Sequence, residues 1–145
     1  MNLPRLILDI NVLLPAVSGQ PTSPERRLWN KFRRGQLGIV FSDALITEFL
    51  EVLRYPEVQA LGITPAVSGM LVYDLFLLGD YYSPQEMTVL DWPTLGDKKD
   101  WYLLDLLFTS RADGLITRDK KVIVAGKKLA MPVVHPDALE QRGWL

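Results

Sequence analysis

Arg5-Leu6-Ile7-Leu8-Asp9 is a short apolar run that ends on an acid. A run rich in Leu and Ile reads as a buried strand, and this one continues through Asn11-Val12-Leu13-Leu14 until Pro15 breaks it. A loop follows, marked by Gly19, Pro21 and Thr22. Ser23-Pro24 then has the form of an N-cap with proline at the first helical position, and Gly35 closes that helix. Residues 37–41 give a second buried strand, and Ser42 caps a helix over 43–54 that Tyr55-Pro56 terminates. Thr64-Pro65 repeats the cap-then-proline signal and opens a very apolar helix running toward Asp80. A third strand is expected over 87–90, ended by Trp92-Pro93, and a helix over 97–111 with acids in its first turn, where the helix dipole favours them. Residues 115–117 form a fourth strand followed at once by Arg118-Asp119; a short helix over 120–125, a fifth strand over 132–134 and a last turn or helix over 136–141 complete the chain. Strands alternating with helices predict an α/β sandwich around a mainly parallel sheet of about five strands. With no internal repeat, linker or low-complexity tract, residues 1–145 read as one domain.

A chain of 145 residues is long enough to bury a sizeable core. Its 48% hydrophobic and 23% charged residues place it among ordinary globular proteins. The net charge of −1 does not announce a nucleic-acid binder, because affinity for phosphate backbones comes from clustered Lys and Arg. A nucleic-acid function must therefore rest on local clusters and on chemistry. The absence of cysteine excludes disulfides and thiolate metal sites and fits a reducing cytoplasm. The N-terminus has no signal-peptide pattern, and the longest apolar runs are too short to cross a bilayer. The expectation is a soluble cytoplasmic protein with no membrane partner.

The acids are the informative feature. Ligands of an open parallel sheet sit at the carboxyl ends of its strands. Asp9 ends the first expected strand, Asp119 follows the fourth, Glu48 lies about two turns into the helix after strand two, and Asp100 lies in the first turn of the helix before strand four. All four can converge on one edge of the sheet. Carboxylates so gathered repel one another unless a cation neutralises them, and hard Mg²⁺ or Mn²⁺ prefers oxygen ligands. Such an ion acidifies a bound water and stabilises charge on a phosphoryl group. That is phosphodiester hydrolysis without His or Cys, in a chain with one His and no Cys. Taken singly, each acid is equally well a turn former, a helix cap or a solvated charge; the joint pattern favours chemistry. Asp9, Asp100 and Asp119 are the candidate metal ligands, and Glu48 a ligand or an orienter of water. Asp97 competes with Asp100, which is preferred for lying one turn nearer the apolar run that anchors the helix. Asn11 is a neutral helper beside Asp9, or a turn residue.

Arg118, Lys120 and Lys121 beside Asp119, and Lys98 and Lys99 beside Asp100, are candidate contacts to substrate phosphates. The cluster Arg26-Arg27-Lys31-Arg33-Arg34 lies on a separate helix, and such charge runs are usually a solvated face. His135 reads as a surface or structural residue. The middle helix, with Leu71, Tyr73, Leu75, Phe76, Leu77 and Leu78, is unusually apolar and leads into Tyr81 and Tyr82. Core packing is the first explanation, and part of the surface is a candidate homodimer or partner interface.

Four blocks carry a family resemblance. Leu8-Asp9-Ile10-Asn11-Val12-Leu13 resembles the opening motif of PIN-domain nucleases, and Ser42-Asp43-Ala44-Leu45-Ile46-Thr47-Glu48-Phe49 resembles their second block. Asp97-Lys98-Lys99-Asp100-Trp101-Tyr102-Leu103-Leu104-Asp105 is similar to the Asp-rich helix start of the toxin subgroup, and Ala112-Asp113-Gly114-Leu115-Ile116-Thr117-Arg118-Asp119 to the fourth block. The resemblance implies a three-layer α/β/α fold and Mg²⁺- or Mn²⁺-dependent cleavage of RNA. It also implies frequent membership of toxin–antitoxin pairs of the VapC kind, with an antitoxin protein as partner. Position 10 is Ile where the family usually carries Thr or Ser, so a hydroxyl that could support the metal shell is missing; Trp101 and Tyr102 make the third block unusually aromatic. Two rivals stand beside this reading. One is a degenerate PIN domain that binds RNA or a partner without cutting. The other is a haloacid dehalogenase-like phosphatase, which needs a second Asp where this chain has Asn11.

Overall fold

The computed structural model describes residues 2–88, 90 and 101–145. Five parallel strands, β1 (Arg5–Leu8), β2 (Gly38–Ser42), β3 (Asp80–Tyr82), β4 (Gly114–Ile116) and β5 (Val133–Val134), form one sheet in the order β3-β2-β1-β4-β5. Helices α1 (Ile10–Ser18), α2 (Pro24–Arg33), α3 (Asp43–Val52), α4 (Pro56–Gln59), α5 (Pro65–Leu78), α6 (Trp101–Ser110) and α7 (Lys120–Lys128) flank the sheet in a three-layer α/β/α arrangement. The central strands are continuous apolar runs because helices cover both faces. Leu6, Ile7, Leu8, Ile39, Val40, Phe41, Leu115 and Ile116 are all fully buried.

The order places β1 at the centre, with the chain building outward to β3 on one side before returning to β4 and β5 on the other. Strand order therefore reverses between β1 and β4, and a crevice opens at their carboxyl ends. Leu8 pairs with Ile116 at that end, and the Asp9 N–H donates to the Ile116 carbonyl at 3.0 Å. Asp9 and Asp119 thus leave the sheet side by side.

Local signals account for most element starts. Ser23, Ser42 and Thr64 each accept a backbone N–H at the mouth of α2, α3 and α5. Gly35, at φ +74°, supplies the left-handed turn after α2.

Three expectations need correction. Pro15 does not break the run after β1: α1 passes through it, from Asp9 as N-cap to a Gly19 N–H that closes on the Pro15 carbonyl at 2.7 Å. Proline removes one bond, to the Asn11 carbonyl, and buried Ile10, Val12, Leu13 and Ala16 hold the helix against the core regardless. The third strand is Asp80–Tyr82, not residues 87–90. The Thr88 N–H donates to Thr109 Oγ1 and the Leu90 N–H to Asp105 Oδ1, so side chains of α6 take the donors a strand would share with a neighbour; Val89 lies outside the described residues. The apolar middle helix is only half core. Leu71 and Leu75 are buried, whereas Tyr73, Phe76, Leu77 and Leu78 are exposed.

Helix α7 approaches β5 closely because Gly126 has no side chain. A Cβ there would stand 2.4 Å from Val133 Cγ2 and 2.6 Å from Val133 Cβ, and Val133 is β-branched and buried. Gly126→Ala is expected to cost about 1–3 kcal/mol of stability through overpacking. Urea unfolding measures it; an unchanged midpoint would mean that the α7–β5 contact is looser than this.

Candidate active site

Asp9 is where the site begins. It is 8% exposed, and its two oxygens are held differently. Oδ1 accepts the Ile10 N–H at 2.7 Å, which caps α1. Oδ2 accepts the Thr117 hydroxyl at 2.7 Å and the Asn11 amide at 3.2 Å. Thr117, fully buried just after β4, also accepts the Asp119 N–H at 3.1 Å and the Asn11 amide at 3.3 Å. One hydroxyl therefore couples the two strand-end acids.

Asp119 caps α7, accepting the Lys121 N–H at 2.9 Å. Its carboxylate thus sits at the positive end of that helix. Asn11 completes the loop, its Oδ1 accepting the Arg118 N–H at 3.0 Å. Glu48, half-buried on α3, accepts the Tyr102 hydroxyl from α6.

Burial raises the pKa of Asp9 above the ordinary carboxylate value. The Thr117 and Ile10 hydrogen bonds oppose this shift, and the negative charges of Glu48 and Asp119 add to it. Glu48 and Asp119, far from Asp9 in sequence, therefore each lie close enough to act on it. Asp97 and Asp100, with Lys98 and Lys99, lie outside the described residues. Among the described residues, no three His, Asp or Glu side chains are grouped to enclose a metal ion by themselves. The donors are all hard carboxylate oxygens, and the charge crowding at Asp9 is what a divalent cation relieves. The chemistry of the set fits Mg²⁺ or Mn²⁺.

The cations divide. The Arg118 guanidinium pairs with Glu25, a buried carboxylate on α2. Lys120 and Lys121 are exposed in the first turn of α7 and form no ion pair among the described residues. In the α2 cluster, Arg27 pairs with Glu140, Arg33 pairs with Asp74, and Lys31 donates to the Trp144 carbonyl. His135 caps a short 3-10 turn over Pro136–Ala138, its Nδ1 accepting the Asp137 N–H.

Two supporting residues escaped the sequence reading as members of the site. Thr117 supplies a hydroxyl to Asp9 although position 10 has none; Ile10 contributes through its backbone N–H. The apolar strand ending in Thr-x-Asp was the available signal. Tyr102 holds Glu48, and its sequence neighbourhood shows only an aromatic residue near an acid.

A raised carboxyl pKa makes the folded state prefer the proton. Below the ordinary value of about 4 Asp9 is protonated folded or unfolded and costs nothing. As pH rises from there through the raised folded pKa, stability is lost, and the loss is complete above it. In EDTA, the unfolding free energy of wild type minus that of Asp9→Asn should therefore fall with pH over this window and then level. A difference that stays flat from pH 4 to 8 would contradict the buried, crowded carboxylate.

No curated protein matches the chain. The family model for the PIN domain matches residues 5–121, which run from the start of β1 into the first turn of α7 and contain Asp9, Glu48 and Asp119. The match takes in the whole switch-point crevice, and the chain belongs to the PIN-domain family, whose members are generally nucleases.

Proposed function

We propose that this protein is a Mg²⁺- or Mn²⁺-dependent endoribonuclease that hydrolyses RNA phosphodiester bonds in the cytoplasm as the toxin of a toxin–antitoxin pair. The observation that carries the reading is the Asp9–Thr117–Asp119 constellation at the sheet's switch point, with Glu48 close by. Asp9 and Asp119 would hold the ion, and Asp100 is proposed as the third ligand from the sequence alone. When bound, it supplies charge neutralisation at phosphoryl oxygens and acidification of water.

The protein's own contributions follow from the contacts. Thr117 and the Ile10 N–H fix the Asp9 carboxylate in one orientation, so no reorganisation is needed during reaction. The Tyr102 hydroxyl orients Glu48, which positions the attacking water and accepts its proton. Lys120 and Lys121, exposed beside Asp119, attract the phosphate chain. Arg118 is engaged by Glu25 and contributes less.

Purified wild type should cut RNA with Mn²⁺ and stop with EDTA, and Asp9→Asn and Asp119→Asn should leave RNA intact. Thr117→Val, which keeps shape but loses the hydroxyl, should lower the rate roughly 10–100-fold. If wild type leaves RNA whole, the chain is a binding module; if all variants cut equally, the activity is a contaminant's. Growth arrest on induction, relieved by Asp9→Asn and by the product of a short upstream reading frame, tests the toxin role.

We also propose that two copies pair through α5. Ala66, Gly69, Met70, Tyr73, Phe76 and Leu77 lie at helical spacing on its outer face, opposite buried Leu71 and Leu75, and all six are exposed. The small residues lie at one end and the large at the other, so an antiparallel copy sets large side chains into shallow positions. Light scattering should give twice the chain mass, and Leu77→Glu one chain mass. A wild-type monomer at about 100 μM would remove the dimer.

A further inference from the structure

One residue away from Glu48, across Tyr102, lies a pocket of about 210 Å³, walled by Asp43, Tyr82, Pro84, Met87, Tyr102 and Asp105. That is space for one planar ring system. Its walls are mainly apolar and aromatic, with few polar atoms, as sites for flat ligands are. Tyr102 belongs to both places: its ring lines the pocket while its hydroxyl is held by Glu48. Glu48 and the pocket therefore share one wall, which a substrate strand bound at Glu48 would meet.

The polar groups restrict what enters. Asp43, at the start of α3, is oriented by the Tyr81 hydroxyl at 2.5 Å, and buried Asp105 accepts the Leu90 N–H at 3.0 Å. Ionised carboxylates accept hydrogen bonds and donate none. Guanine presents two adjacent donors on its pairing edge, N1–H and the exocyclic amine, which match the two oxygens of one carboxylate. Adenine and cytosine place an acceptor beside their amine, and uracil flanks its one N–H with carbonyls.

We propose that this pocket binds one guanine base of the RNA, stacked against Tyr82 and Tyr102 with its donor edge toward Asp43, and so selects where the chain is cut. The proposal rests on the ribonuclease reading above. An arginine from a protein partner carries a similar donor pair, but the apolar walls and the wall shared with the acids favour an uncharged ring on the substrate strand.

The test titrates the full chain, in EDTA, with 5′-GMP, AMP, CMP and UMP, read by intrinsic fluorescence and by NMR. GMP should bind at least about tenfold more tightly than the others, the scale of one bidentate base contact. Asp43→Asn, which keeps an acceptor for Tyr81, should erase the preference, and Met87→Trp, which fills the pocket, should abolish binding of all four. Equal binding of the four nucleotides, no binding, or tighter binding of arginine amide than of GMP would each overturn the proposal. Cleavage of RNA by the same sample separates the two readings. Cutting without preference for guanine beside the cut overturns the pocket and leaves the nuclease standing. Selective GMP binding without any cutting supports the pocket and overturns the nuclease.

Discussion

The hydrogen bond from the Thr117 hydroxyl to the Asp9 carboxylate is the contact on which the site depends. It closes the seam between β1 and β4 one step beyond their last paired residues, Leu8 and Ile116. Without a donor there, a carboxylate 8% exposed and facing two other acids would be left with its helix-capping bond and a long amide contact. A buried charge so poorly compensated takes up a proton or opens the structure. Thr117 allows the acid to stay in place, and its contact to the Asp119 N–H carries the same constraint into α7.

The surrounding architecture serves this seam. Parallel strands covered on both faces bring two strand ends to one place without a loop between them, and the reversal of strand order leaves that place open. Two helices begin there, α1 capped by Asp9 and α7 capped by Asp119. Each acid thus serves as a structural cap and as part of the candidate site. Their helix N-termini partly offset the repulsion between the acids. The fold tolerates the cluster because backbone N–H groups are aimed at it.

What the sequence disclosed followed from which signals are local. A strand buried on both faces is a continuous apolar run, so β1, β2 and β4 and the acids that end β1 and follow β4 are legible. Caps and prolines mark α2, α3 and α5 within a few residues. The edge strand β3 was not legible: it has three residues, two of them tyrosines, and only Gly79 separates it from a helix apolar on every side. Nor was α1, whose proline is tolerated only because its buried face is pinned to the core. The contacts that hold the acids span 108 residues for Thr117 to Asp9 and 54 for Tyr102 to Glu48, and no local pattern records them. The choice between Asp97 and Asp100 falls outside the described residues.

The edges of the sheet have a consequence of another kind. Among the described residues the outermost strands are β3 and β5, only three and two residues long. An unpaired strand edge is a template on which another chain can add its own backbone, and short edges offer few donors and acceptors for this. Edges this short give strand-to-strand addition little to build on. Specific association must instead use side chains on the helical layers, where shape rather than backbone pairing chooses the partner.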